Sequence, residues 1–301
     1  MYEPFLNMTV DEIETWLRET DAARLESLWA AANAVRHDYV GDEVHLRGLL
    51  EISNRCVRAC AYCGLRAENR QVQRYRMEMD EIMVCVRQAR QFGYGTVVLQ
   101  AGEDYGISRE WMAELVIQIK RETGLAVTLS LGERPDADLI AWREAGADRY
   151  LLRFETSDRE LYERIHPPTH NQTISDRIVM LRRLKELGFE AGSGVMIGIP
   201  GQTYRSVAGD IALFRELDLD MIGVGPFIAH PETPLGREEM AAAPKKEQVP
   251  NTEDMTYKVL ALTRLACPEA NLPSTTALAT LNLARGRELG LSRGANIVMP
   301  A

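Results

Sequence analysis

VHLRGLLEISNRCVRACAYCGLR, residues 44–66, decides the fold. Its first half, 44–53, is rich in β-branched and other apolar residues and reads as a strand. Three cysteines follow directly in a loop. Similar runs recur at 96–102, 126–132, 149–155, 190–200, 221–230, 271–278 and 295–300. Amphipathic stretches separate them. In 80–92, Ile82, Cys85, Val86, Ala89 and Phe92 recur at helical spacing; in 176–187, Ile178, Leu181, Leu184 and Leu187 do, and Gly188 is placed to end that helix. Eight strand candidates alternating with helices predict parallel pairing in an α/β fold, a (β/α)8 TIM-type barrel. An open doubly wound sheet is the alternative. Residues 1–44 read as a short helical N-terminal extension, with Asp11 near a helix start and Ile13, Trp16 and Leu17 as its apolar stripe. Residues 45–301 read as the barrel. The polar stretch 236–254 is expected to be a surface loop.

Composition narrows the function. The chain has 301 residues, 46% hydrophobic, and a formal net charge of -9. Such a balance gives no general attraction to polyanions, so no nucleic acid is expected as a partner. No run of 18 or more apolar residues occurs, so no membrane partner is expected either. The N-terminus lacks a basic segment followed by an apolar run, which argues against a secretory signal and for a cytoplasmic location. Only five cysteines are present, three of them within eight positions. That is a metal-binding pattern and not a disulfide framework. Cys85 and Cys267 stand alone and read as small buried apolar residues.

Cys56, Cys60 and Cys63 have the spacing C-x3-C-x2-C. Thiolates are soft ligands suited to iron–sulfur clusters and to zinc. Three thiolates can hold three irons of a cubane and leave the fourth iron open to a small molecule. A zinc site is the competing reading, but structural zinc takes four ligands in paired groups, and no second Cys/His pair appears.

Polar residues at the predicted strand ends would share the open face of a parallel barrel: Asn54, Glu103, Ser130, Glu155 and the pair Thr275–Thr276. Arg153 and Glu155 lie two apart on one strand face, and Arg177 opens the next helix. They read as ligand-binding groups or as a structural ion network. Gly192 and Gly194 would leave room for a bulky group such as adenosine. Residues 190–203 carry no Lys-Ser/Thr, so a Walker phosphate loop is excluded. The threonine pair reads as a polar substrate contact complemented by Arg47, or as an ordinary β-branched strand pair.

The triad, with Tyr62 before its last cysteine, resembles the radical S-adenosylmethionine (SAM) signature. HLRGLLEISNRC, ACAYCGLRAENR, RYRM, VVLQAGED, VTLSLGE, GADRYLLR, GIPGQT, GVGPFIAHPETPL and GANIVMP are together similar to the FeFe-hydrogenase maturase HydE family. Methylornithine synthase and, more distantly, biotin synthase share that branch. The resemblance implies a radical SAM barrel with a 4Fe–4S cluster on Cys56, Cys60 and Cys63, whose open iron binds SAM. One electron then cleaves SAM to a 5′-deoxyadenosyl radical. It further implies Tyr62, Gly102, Glu103, Ser130, Arg153, Glu155 and Arg177 as cofactor-binding residues. Arg47, Gln100, Thr275 and Thr276 would be substrate-binding, around a small-molecule or organometallic substrate inside the barrel. Implied partners are a reductant protein such as ferredoxin or flavodoxin and other hydrogenase maturases. Two alternatives stand beside this one: a radical SAM amino-acid mutase or synthase, and an iron–sulfur scaffold or carrier without turnover. Phe154 stands where the family often has a polar residue, and the chain reads Glu103-Asp104-Tyr105 where the family has a GED-Pro-Tyr run. The family also continues beyond the GANIVMP segment, so a C-terminal tail is expected to be missing.

Overall fold

A computed structural model describes residues 2–168, 175–237, 244 and 246–300. Two helices lead in: α1 (Val10–Arg18) and α2 (Ala22–Val40). Thr9, not Asp11, caps α1: its side chain accepts from the Glu12 N–H, and Glu12 reaches back to the Thr9 N–H. Strands and helices then alternate through β1 (His45–Ser53), α3 (Met79–Gln91), β2 (Thr96–Ala101), α4 (Arg109–Thr123) and β3 (Ala126–Ser130). The series continues with α5 (Asp136–Glu144), β4 (Arg149–Leu151), α6 (Arg159–Ile165), α7 (Arg177–Glu186), β5 (Glu190–Ile197), α8 (Tyr204–Glu216) and β6 (Met221–Pro226). It closes with α9 (Glu253–Ala266), α10 (Thr276–Leu281), α11 (Gly286–Ser292) and β7 (Ile297–Val298).

One seven-stranded sheet runs in the order β6-β5-β4-β3-β2-β1-β7, with every pairing parallel. Successive residues of each strand point to opposite faces. Leu50, Ile52, Val97, Leu99, Val127, Leu129 and Tyr150 point outward into the main core against the helices. Their neighbours point into the barrel: Glu51, Gln100, Ser130, Leu151 and Arg153 line an interior cavity. The N-terminal helices pack on the outer layer, α1 against α8 and α2 against α9.

The expected strand at 271–278 is not one. Asn271 bridges Met221 and Pro273 bridges Ile297, so an extended link spans the gap between the two ends of the sheet without becoming a ladder. Pro273 has no N–H to give to a ladder. Thr275 then takes the N-cap position of α10, so the threonine pair starts a helix and does not end a strand. Within the expected surface loop, α9 already begins at Glu253. Residues 238–243 and 245 of that loop lie outside the described residues. Phe92 caps α3 and is exposed, not part of its buried stripe.

Candidate active site at the C-terminal mouth of the barrel

The cysteine loop runs from β1 to α3 and has no regular structure of its own, so its shape must come from tethers. Arg74 supplies four of them. Its guanidinium donates to the carbonyls of Asn54 (2.5 Å), Leu65 (2.9 Å), Arg66 (2.8 Å) and Asn69 (3.2 Å). Backbone bonds add three more: Val57 N–H to Glu103 O, Ala61 N–H to Ile165 O, and Leu235 N–H to Ala61 O. Gly102 completes the seat. A Cβ there would lie 2.3 Å from the Arg55 carbonyl oxygen and 2.8 Å from Cys56 Cβ.

Cys56 and Cys63 border a cavity of about 500 Å³ with Tyr62, Gln100, Gly102, Ser130, Arg153, Glu155 and Arg177. Nine of the fourteen residues to which the resemblance gives a role therefore meet in one place, and Asn54 joins them. Cys60 is buried directly behind, beside Arg58, Glu133, His166 and Arg177. The three cysteines are free thiols. Burial pushes the Cys60 thiol up to about 12 and raises Cys63 as well. Ligation must therefore expel protons from buried sulfurs.

Besides Cys60, four of the fourteen do not line this cavity. Glu103 turns away: its carboxylate accepts from Arg58 Nε (2.8 Å), the Tyr105 hydroxyl (2.7 Å) and the Glu133 N–H (3.0 Å). Arg47 points into the barrel but six residues before Ser53, about 20 Å along the strand at 3.3 Å per residue. Its guanidinium rests on Met221 Sδ (2.9 Å) at the opposite end. Thr275 donates to Val224 O (3.2 Å), and Thr276 lies in the first turn of α10. No hydrogen bond joins Arg47 to the threonine pair among the described residues.

Arg153 and Glu155 make the structural pair that the sequence left open. They are bidentate, Nε to Oε1 at 2.8 Å and Nη2 to Oε2 at 2.9 Å, and both still border the cavity. Glu155 adopts φ +65, a left-handed conformation that a non-glycine residue holds only under constraint. Gly194 does not open space for adenosine. A Cβ there would strike Gly223 O at 2.2 Å and Arg153 Nη1 at 2.7 Å, so the glycine admits the arginine. Phe154 is buried against Phe214 with ring centroids 5.6 Å apart, on the side facing the helices. The departure at 154 therefore does not alter the cavity wall.

A buried ionic network that the sequence reading missed stands behind the site. Arg58 joins Glu103 to Glu133 (2.7 Å), and Glu133 also accepts from Arg177 Nε (2.9 Å) and Ser175 Oγ (2.6 Å). Arg177 Nη1 contacts the Arg153 carbonyl (2.7 Å) and His166 Nε2 (3.3 Å). The Tyr62 hydroxyl meets the same nitrogen at 3.1 Å, while Nδ1 faces the Tyr162 carbonyl at 3.2 Å. An arginine can only donate and a carbonyl only accept, which fixes the tautomer: Nδ1 bears the hydrogen. Burial, and then the nearby Arg177 charge, hold His166 well below its ordinary value, so it stays neutral. One neutral imidazole thus ties the aromatic ring of the cysteine loop to an arginine of the cavity wall.

A radical SAM superfamily profile matches residues 50–214. The chain belongs to the radical SAM superfamily. It is 46% identical over 275 residues to the [FeFe] hydrogenase maturase subunit HydE of Thermotoga maritima, covering 91% of this chain and 75% of that protein. It is 30% identical over 290 residues to the 3-methylornithine synthase of Methanosarcina acetivorans, covering 96% and 78%. Its fold matches the crystal structure of methylornithine synthase with a TM-score of 0.84 at 29% identity, covering 97% of this chain and 82% of that one.

Membership makes this a radical SAM enzyme, with a 4Fe–4S cluster and SAM as cofactors. The residues present fit that pair. Among the described residues no three of His, Cys, Asp and Glu converge on one point. A cubane does not require it, because each of its irons takes one thiolate. The methyl-free seat at Gly102 lets the loop lie against the strand end. The cavity falls in the size range of small-molecule sites, and its wall offers guanidinium, carboxylate and hydroxyl groups. The chemistry also needs an electron donor and a small-molecule substrate. No helix among the described residues is long and apolar enough to cross a membrane.

Proposed function

We propose that the chain is a HydE-like maturase acting in assembly of the diiron subcluster of FeFe-hydrogenase. The 46% identity to HydE over most of both proteins carries this reading. Cys56, Cys60 and Cys63 would hold the cluster. Tyr62, Gly102, Ser130, Arg153, Glu155 and Arg177 would bind SAM, with Glu103 supporting them through Arg58. The cluster and SAM together supply a 5′-deoxyadenosyl radical. The chain's own part is to seat both and keep water out. Arg177 is held by Glu133 and His166, so its cation is fixed before any carboxylate arrives. Glu155 is fixed likewise by Arg153. Gln100, deeper on β2, would meet an organometallic or other small substrate. Arg47, Thr275 and Thr276 would do so only for a substrate reaching further down the barrel. The donor would be a ferredoxin or flavodoxin, and the compartment the cytoplasm, where thiols stay reduced.

Reconstituted protein should form 5′-deoxyadenosine from SAM under a strong reductant and should restore hydrogenase activation in a host lacking its own HydE. Cys60→Ala should lose the cluster absorbance and most of its iron; normal iron content would contradict the ligand assignment. The similarity to methylornithine synthase in sequence and fold favours one other reading, an amino-acid radical enzyme. SAM cleavage without hydrogenase activation would select it.

A further inference from the structure

The cysteine loop is a positive island on an acidic protein. Residues 54–76 carry six arginines, at 55, 58, 66, 70, 74 and 76, against the single acid Glu68, while the whole chain stands at -9. Part of this charge is engaged within the fold: Arg58 on Glu103 and Glu133, Arg74 on loop carbonyls, Arg76 on Asp104 (2.6 Å), and Arg66 on Glu68 (3.2 Å). Arg55 and Arg70 are not. Both are exposed, and among the described residues neither side chain has an acidic partner. Arg55 directly precedes Cys56, and its carbonyl is seated against Gly102. Arg74 brings the two stretches together, donating to the carbonyls of Asn54 (2.5 Å) and Asn69 (3.2 Å), the residues just before Arg55 and Arg70; Tyr75, also exposed, bonds through its N–H to the Asn54 side chain (2.7 Å).

We infer that this loop surface, centred on Arg55 and Arg70, is the docking face for an acidic one-electron carrier protein. The inference rests on the radical SAM reading. An acidic protein repels acidic partners everywhere except at a positive patch, and such a patch steers encounter. Short-lived electron-transfer complexes need only a small interface, so a few charges around one loop suffice. In each encounter the donor gives up one electron. That electron is consumed in reductive cleavage of SAM to methionine and an adenosyl radical. No proton moves.

The test compares two reductants on the reconstituted full chain, reduced flavodoxin and dithionite, reading 5′-deoxyadenosine. Arg70→Glu should raise the KM for flavodoxin roughly fivefold. The dithionite-driven rate should stay within about twofold of wild type, since a small reductant needs no docking face. Arg121→Glu, an exposed reversal on α4, controls for net charge and should leave both unchanged. Calorimetric binding of oxidised flavodoxin should weaken in Arg70→Glu and with added salt. Unchanged flavodoxin KM and binding, or an equal effect from Arg121→Glu, would overturn the docking face. Wild-type protein that makes no deoxyadenosine even with dithionite points instead at the radical SAM reading, and the calorimetry then judges the surface by itself.

Discussion

Gly102 has no room for a methyl group, because the Arg55 carbonyl already occupies the place where it would go. Gly102→Ala must push the cysteine loop off the end of β2. The expected result is a folded protein, normal by circular dichroism, that takes up less than half the iron of wild type. Full iron loading would show that the loop tolerates the shift. The cysteines themselves were legible because their spacing is local, and most of the cavity wall was legible because strand ends converge in a parallel barrel. Arg58, Glu133 and His166 were not, because their partners lie up to about a hundred positions away, as with Tyr62 and His166. VRAC and LGE carry charged residues within three positions of predicted site residues, and that nearness was the one signal in the sequence. Glu103 was misplaced for a related reason. β2 ends at Ala101, and the turn carries the Glu103 side chain round to Arg58.

At the level of elements, the strands read best where a buried, β-branched run met a clear turn, as in β2 and β3. The seventh candidate failed because one local feature and one long-range contact defeat β propensity there. Pro273 lacks the ladder N–H, and the Thr275 hydroxyl is spent on the Val224 carbonyl where the chain turns into α10. Helix ends were legible within a residue or two, but the choice of cap was not: Asp11 and Thr9 both suit an N-cap, and only the reciprocal bond from Glu12 distinguishes them. Thr9→Ala removes that capping box and should destabilise by about 1 kcal/mol. The shift should appear in the urea midpoint with an unchanged slope. An unchanged midpoint would mean that packing of α1 on α8 holds the helix without its cap.

Across the whole molecule, one buried acid makes stability depend on pH. Asp210 of α8 is fully buried; Oδ1 accepts from the Ser157 N–H (2.6 Å) and hydroxyl (2.5 Å), and Oδ2 has no partner among the described residues. Burial pushes its carboxyl up to about 7, despite both Ser157 bonds. An unfolded aspartate titrates near 3.9. Between those values the folded chain binds more protons, so this group's stabilising contribution is complete below about pH 4 and is lost as pH rises through 7. Asp210→Asn keeps the Oδ1 acceptor and cannot ionise. Its Tm relative to wild type should therefore rise between pH 5.5 and 8. Parallel Tm profiles for the two proteins would refute the assignment. The grip of Arg74 on four carbonyls has a different outcome. A ligand arm held by one internal cation is already organised before iron arrives. Metal uptake is then an insertion and not a folding event. The iron-free protein should resist proteolysis across 54–76 as well as the loaded one does, and stripping the metal should leave an intact cradle ready to refill.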